Sequence, residues 1–328
     1  MANVLPTEPT LEVDDNVADS DSASADFVES ASYLTSLSES IRDYKYENGR
    51  RYHAYREGSY VLPNDEEEQD RMDLLHHIYL LILGGRLHLA PISPNPQRVL
   101  DLGTGTGIWA IDFADQHPSA QVIGTDLSPI QPPFVPPNCS FEIDDFESDW
   151  PFSHAFDFIH GRELNGSVAD YDRLFSRAFN HLKPGGYLEM QTGEAMFFSD
   201  DGTDAKATNC QVLIKNLHDA AERFGKSLTT IATWKERMIK AGFVDVKSEI
   251  YKVPIGMWPK DPKLKEIGKY QHAQQIEAVG TYTLALFTRV LGWTREEVEV
   301  LCAMVRNELK DRSLHLYIKA HFVYGRRP

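Results

Sequence analysis

The sequence predicts an open α/β fold with seven strands in a mostly parallel sheet, helices on both faces, an antiparallel last strand and an added helical cap. Three observations predict it. Arg98-Val-Leu-Asp-Leu102 reads as a buried strand that runs through the glycine-rich turn Gly103-Thr-Gly-Thr-Gly107 into a helix. Short apolar runs that end in acidic residues or glycine then alternate with helical stretches, the rhythm of βαβ units. The chain closes with a strongly alternating run over residues 315–324, which suits the last, antiparallel strand.

The elements follow in order. Residues 39–90 pattern as a helical cap in which Met72, Leu74, Leu75, Ile78, Tyr79, Leu81 and Ile82 cover most of a helix face, and Gly84-Gly85 stops it. Pro91, Pro94 and Pro96 mark the entry to a sheet domain over residues 91–328. After the first strand, residues 120–127 form the second, with Asp126 at its end, and residues 139–146 the third, with Asp144 and Asp145 at its end. Residues 156–160 are the fourth strand, which runs into Gly161-Arg-Glu-Leu164; the turn Leu182-Lys-Pro-Gly-Gly186 leads into the fifth at residues 187–190. Helical runs at 212–221 and 234–241 precede a sixth, alternating strand at 243–251. Residues 259–312 form an insertion rich in helix formers, expected to cover the substrate side of the sheet together with the N-terminal helices.

The glycine spacing narrows the ligand. A dinucleotide fingerprint would place glycine at position 108, where this chain has Ile108, and no lysine follows this turn to give the Gly-Lys-Ser/Thr ending of a phosphate-cradling loop. Asp126 lies about twenty residues past the turn, where nucleoside-binding α/β folds keep a carboxylate for ribose hydroxyls. Asp101-x-Gly103-x-Gly105-x-Gly107, the acidic strand ends and Leu182-Lys-Pro-Gly-Gly186 together resemble the class I S-adenosylmethionine-dependent methyltransferases, which implies a Rossmann-like sheet. Asn48-Gly-Arg-Arg-Tyr-His-Ala-Tyr55, Val61-Leu-Pro-Asn-Asp-Glu66, Asp126-Leu-Ser-Pro-Ile-Gln-Pro132 and Phe156-Asp-Phe-Ile-His160 are similar to the methyltransferases of fungal secondary metabolism, relatives of the velvet-complex methyltransferase regulator.

That resemblance implies S-adenosylmethionine as cofactor. It assigns contacts to Asp101, Gly103, Thr104, Gly105, Gly107, Asp126, Leu127, Asp144, Asp145, Phe146, His160 and Arg162. Asp144 or Asp145 would take the adenine amino group, and Phe146 would pack on the ring. Two functions are compatible with it. One is methyl transfer to a small molecule, at oxygen before carbon or nitrogen. The other is a regulatory role through a velvet-type protein partner.

Composition bounds the rest. A formal net charge of −16 with no cluster of four basic residues opposes a nucleic-acid partner. Cys139, Cys210 and Cys302 are dispersed, lack metal-ligand spacing and suit a reducing compartment. Neither a signal peptide nor a membrane-length apolar run is evident, so a cytoplasmic protein is expected, with the nucleus as the alternative location, a partner being one route there. Residues 1–38 carry no Lys or Arg and few large apolar side chains, and are expected to be a disordered acidic tail.

Chemically, an oxygen nucleophile calls for a general base, and histidine is the usual choice. His160, at the end of the fourth strand, is the first candidate for the catalytic base, the alternative being that it packs over the cofactor or hydrogen-bonds locally. Arg162 suits the methionine carboxylate. His76, His77 and His272 are expected to be ordinary helix residues, and Tyr52, Tyr55 and Tyr60 to line a pocket or pack between helices.

Overall fold

The structure is a computed structural model that describes residues 10–14, 44–56, 58 and 60–328. Strands β1 (Lys45–Glu47) and β2 (Arg50–Tyr52) form a hairpin closed by Asn48 and Gly49, with φ of 52° and 81°. Here the chain departs from the helical expectation. An Asn-Gly pair accepts the left-handed conformation that a two-residue hairpin turn demands, and it outweighs the polar pattern around it. Arg50 then holds Asp65 with two bonds of 2.6 and 2.7 Å. Asp65 caps helix α1 (Glu66–Leu83), which stops at Gly84 in the left-handed region.

The sheet begins with β3 (Arg98–Leu102), followed by α2 (Ile108–Gln116), β4 (Gln121–Asp126), β5 (Cys139–Ile143) and β6 (Phe156–Arg162). Then come α3 (Tyr171–His181), β7 (Leu182–Gly193), α4 (Thr208–Phe224), α5 (Trp234–Lys240) and β8 (Val244–Pro254). The chain ends with α6 (Pro262–Leu286), α7 (Arg295–Leu309) and β9 (Tyr317–Arg326). Strand order is β5-β4-β3-β6-β7-β9-β8, and β9 alone runs antiparallel to its neighbours. The Leu182-Lys-Pro-Gly-Gly turn is absorbed into β7 as a bulge: Leu182 pairs with Phe156, and the next pair is Tyr187 with Phe158.

Alternation decides which residue meets which layer. Val99 and Phe158 face Trp109 and Phe113 of α2, while Leu100, Ile159 and Leu188 face Phe175 of α3 and Trp234 beside it. The sheet winds outward from β3 to β5 and then crosses back to β6, so the crevice where strand order reverses opens at the carboxyl ends of β3 and β6. Over that end sits a third apolar cluster, in which α4, α6 and α7 contribute Leu213, Leu217, Val279, Leu286 and Val305. Helix α6 packs on both α1 and α7, and thus spans the 259–312 insertion and the N-terminal helix.

Five residues of the acidic N-terminal segment are described. Val13 bridges to Pro259, Asp14 N donates to Trp258 O at 2.7 Å, and the Asp14 carboxylate pairs with Lys265. The remainder of the expected tail lies outside the described residues. No helix among the described residues is long and apolar enough to cross a membrane.

Candidate active site

The loop after β3 is shaped by its glycines. Gly103, Gly105 and Gly107 have φ of 62°, 58° and 83°, conformations that side chains resist. A Cβ on Gly103 would sit 2.6 Å from Leu164, and one on Gly107 would overlap the Phe141 ring. Gly103, Thr104 and Gly105 border a pocket at the sheet's switch point, whereas Gly107 stands behind it as the first residue under α2.

Asp126 ends β4 at the opposite wall. Its Oδ2 accepts Gly105 N at 2.8 Å and its Oδ1 accepts Ser128 N at 2.9 Å, so the carboxylate and the loop fix each other. Burial pushes its pKa up to about 6. Leu127, Asp145 and Phe146 also border the pocket, and the Phe146 ring lies against Gly103. Asp144 does not border it: its amide donates to Asp126 O, and its Oδ1 accepts Asp145 N at 2.8 Å. Asp145 in turn caps the following turn through Glu147 N.

His160 and Asp101 occupy paired positions on β6 and β3, 2.7 Å apart between Nδ1 and Oδ1. The imidazole is fully buried, stacks on Trp109 at 3.7 Å, and has its pKa lowered, first by burial. Its Nε2 meets no hydrogen-bond partner among the described residues. Asp101 Oδ2 accepts Thr104 Oγ1 at 2.6 Å. Both residues form the pocket floor.

Two groups that sequence reasoning missed come from the cap. Arg71 and Glu68, one turn apart on α1, are bonded in two places at 2.6 and 2.8 Å with side chains 4% and 2% exposed, and Arg71 lies over Tyr282 of α6. Their spacing was legible, but the same i, i+3 pair marks many exposed helices. Arg162 bonds His76 Nδ1 at 2.9 Å and lies over the Tyr79 ring; His76 Nε2 bonds Asp112 at 2.9 Å. His76 is therefore a buried link behind the pocket wall. Glu163 bonds the Tyr79 hydroxyl and accepts Gly193 N at 2.9 Å, and burial raises its pKa. Tyr60 reaches the pocket, while Tyr52 is buried under Arg289 in the cap cluster.

These residues fit a cationic nucleoside. The loop is free of side chains at two of its glycines, and the Asp126 carboxylate and the Phe146 ring border the same pocket. Glu68, Asp101, Asp126, Asp145, Glu147 and Glu163 outnumber Arg71, Arg162 and Lys226 around the pocket, a balance that favours positive charge. Arg71 Nη1 is a buried donor without a partner among the described residues, suited to a carboxylate.

Residues 74–248 match the family model described as a methyltransferase domain. The chain is 43% identical over 298 residues to methyltransferase pytC of Aspergillus terreus, covering 90% of this chain and 92% of that protein. It is 37% identical over 289 residues to the secondary metabolism regulator LAE1 of Cochliobolus heterostrophus, covering 86% and 94% of the two chains. Over 290 residues it is 34% identical to the protein-methionine methyltransferase laeA of Emericella nidulans, covering 86% and 76%. Built on the fold and pocket just described, the chain belongs to the class I S-adenosylmethionine-dependent methyltransferases, in the fungal group that includes pytC and the laeA-type regulators.

Proposed function

We propose that this protein methylates an oxygen atom of a small molecule in fungal secondary metabolism. The observation that carries the reading is the acidic pocket at the switch point, bordered on one side by the glycine loop and Asp126 and on the other by Glu68, Arg71 and Tyr282 of the cap. The similarity to pytC supports it.

In this reading Asp126 accepts the ribose hydroxyls, and the Gly105 and Ser128 amides hold its carboxylate in place. Phe146 packs against adenine and Asp145 takes its amino group. Arg162 and the free Arg71 Nη1 take the carboxylate at the other end. When bound, S-adenosylmethionine supplies a methyl group on a positively charged sulfur that leaves as a neutral thioether. No leaving anion needs neutralising, so the chain's work is alignment and exclusion of water. The cap walls do the excluding. His160, with Nδ1 bonded to Asp101 and its ring under Trp109, acts as a positioning residue that braces Asp101 and, through Thr104, the loop.

Calorimetry with S-adenosylhomocysteine tests the site. Wild-type protein should bind, and Asp126→Ala and Gly105→Trp should each abolish binding. Full affinity in both variants would sink the assignment.

The identity to LAE1 and laeA favours a second reading, a regulator that works through a velvet-type protein partner. Co-purification with such a partner that depends on residues 1–40 would support it.

A further inference from the structure

We propose that a second cavity, separated from the cofactor pocket by Leu75, Glu163 and Tyr282, holds the methyl acceptor. We further propose that the acceptor is an apolar ring system bearing an acidic hydroxyl, whose proton Glu163 takes. The inference rests on the methyl-transfer reading above. Leu75, Glu163 and Tyr282 border both cavities, so a molecule in the second one meets the first at this seam.

The second cavity is an apolar box with an unusual rim. Leu213 and Leu217 of α4, Ala278 and Val279 of α6, and Met196 and Phe197 after β7 form its walls. On its rim, Asn165 Oδ1 and Gln271 Oε1 are buried oxygens without a donor among the described residues. Asn165 Nδ2 donates to Leu228 O at 3.0 Å; a carbonyl only accepts, so the oxygen is the end left over. Gln271 is 1% exposed, and its Nε2 donates to the Gln274 and Gln275 side-chain oxygens at 3.2 and 3.1 Å. Buried acceptors need donors. An apolar occupant with hydroxyl groups at its edge supplies them, and a hydrocarbon does not.

Glu163 stands where the chemistry would occur. Its φ of 57° is one that few residues other than glycine adopt, and such positions cluster at functional sites. Both donors to its carboxylate, Tyr79 Oη and Gly193 N, fall on Oε1, which leaves Oε2 to the cavities. Arg71 and Arg162 favour the ionised form, while burial makes the carboxylate a stronger base.

The step balances. The acceptor hydroxyl gives its proton to Glu163 Oε2, and its oxygen uses the freed electron pair to bond the methyl carbon. The carbon–sulfur bond breaks with its pair staying on sulfur, so the sulfonium and carboxylate charges are both discharged. A carboxylate serves a phenol or enol far better than an alkanol, because proton transfer is most effective between groups of similar acidity.

The test uses 2-naphthol, and 2-methoxynaphthalene as its counterpart without a donor, in fluorescence titrations of protein saturated with S-adenosylhomocysteine. Wild type should prefer the naphthol by about tenfold, the scale of one hydrogen bond to a charged acceptor. Glu163→Gln should lose most of that preference. Leu213→Trp, which fills the box, should weaken both naphthalenes by about tenfold or more while leaving S-adenosylhomocysteine affinity within about twofold. Gln271→Leu, which keeps the shape, should weaken 2,7-dihydroxynaphthalene, whose second hydroxyl supplies a donor for the Gln271 oxygen, and leave 2-naphthol unchanged. The inference is overturned if the cofactor product binds but 2-naphthol does not, if both naphthalenes bind wild type equally, or if neither Leu213→Trp nor Gln271→Leu changes binding. Failure of S-adenosylhomocysteine itself to bind is a separate result, and it overturns the methyl-transfer reading and this inference with it.

Discussion

Asp101 and His160 are joined side chain to side chain at 2.7 Å across neighbouring parallel strands, and the same carboxylate accepts Thr104 Oγ1 at 2.6 Å. One buried acid therefore ties β6 to the first turn of the glycine loop. Replacing His160 by Leu leaves that acid with half its partners and should destabilise the protein by about 3 kcal/mol in urea unfolding, with weaker S-adenosylhomocysteine binding. A His160→Leu protein of wild-type stability and affinity that had lost only turnover would return the imidazole to the role of base.

Two glycines with nearly the same backbone separate strain from overlap. Gly85, φ 85°, has open space where a methyl would stand, whereas a methyl on Gly107, φ 83°, would meet the Phe141 ring. Gly85→Ala should cost about 1 kcal/mol, and Gly107→Ala at least about 2 kcal/mol more. Thermal or urea melts of the two variants check this, and equal costs would remove the steric claim.

The ribose contact proposed for Asp126 predicts a pH-dependent cofactor affinity. Burial pushes its pKa up to about 6, and only the ionised form accepts from both ribose hydroxyls. Affinity should therefore be full well above pH 6 and fall as pH drops through it, by up to about tenfold per unit below. Calorimetry with S-adenosylhomocysteine from about pH 5 to about pH 8 reads this directly. Asp126→Asn should be weaker throughout and flatter across the same range.

Glu68 and Arg71 form a buried pair, 2% and 4% exposed, in the cap wall. Removing one partner should be costly, and removing both should not. Glu68→Leu alone should destabilise by about 3–5 kcal/mol, and Glu68→Leu with Arg71→Met should recover most of it. A double-mutant cycle in urea measures the coupling, and additive single effects would show that the pair does not act as a unit.

What was legible in the sequence was local. A strand, its glycine turn and its helix are consecutive, so residues 98–109 disclose the loop, and acidic strand ends such as Asp126 repeat the signal one βα unit later. Alternation over residues 315–324 also marks the last strand, Tyr317–Arg326, but not its place between β7 and β8. Side-chain direction was not legible. Asp144 and Asp145 are adjacent, yet only Asp145 borders the pocket, while the Asp144 carboxylate turns onto the Asp145 amide. Asn48-Gly49 carries a hairpin signal and forms the hairpin, but the helical patterning of residues 66–83 masks it when residues 39–90 are read as one cap. The seam at Leu75, Glu163 and Tyr282 joins residues about two hundred positions apart in the chain. The packing of α1 on α6 brings Leu75 to Tyr282, and the bond from Tyr79 of α1 adds Glu163 after β6.

Methyl transfer to a small molecule is read out with S-adenosylmethionine labelled in its methyl group, incubated with the purified protein and an extract of the fungus that makes it. Label should appear in an organic-soluble product and be lost in Asp126→Ala. Label only on protein, or none despite cofactor binding, would contradict such transfer and favour the regulator.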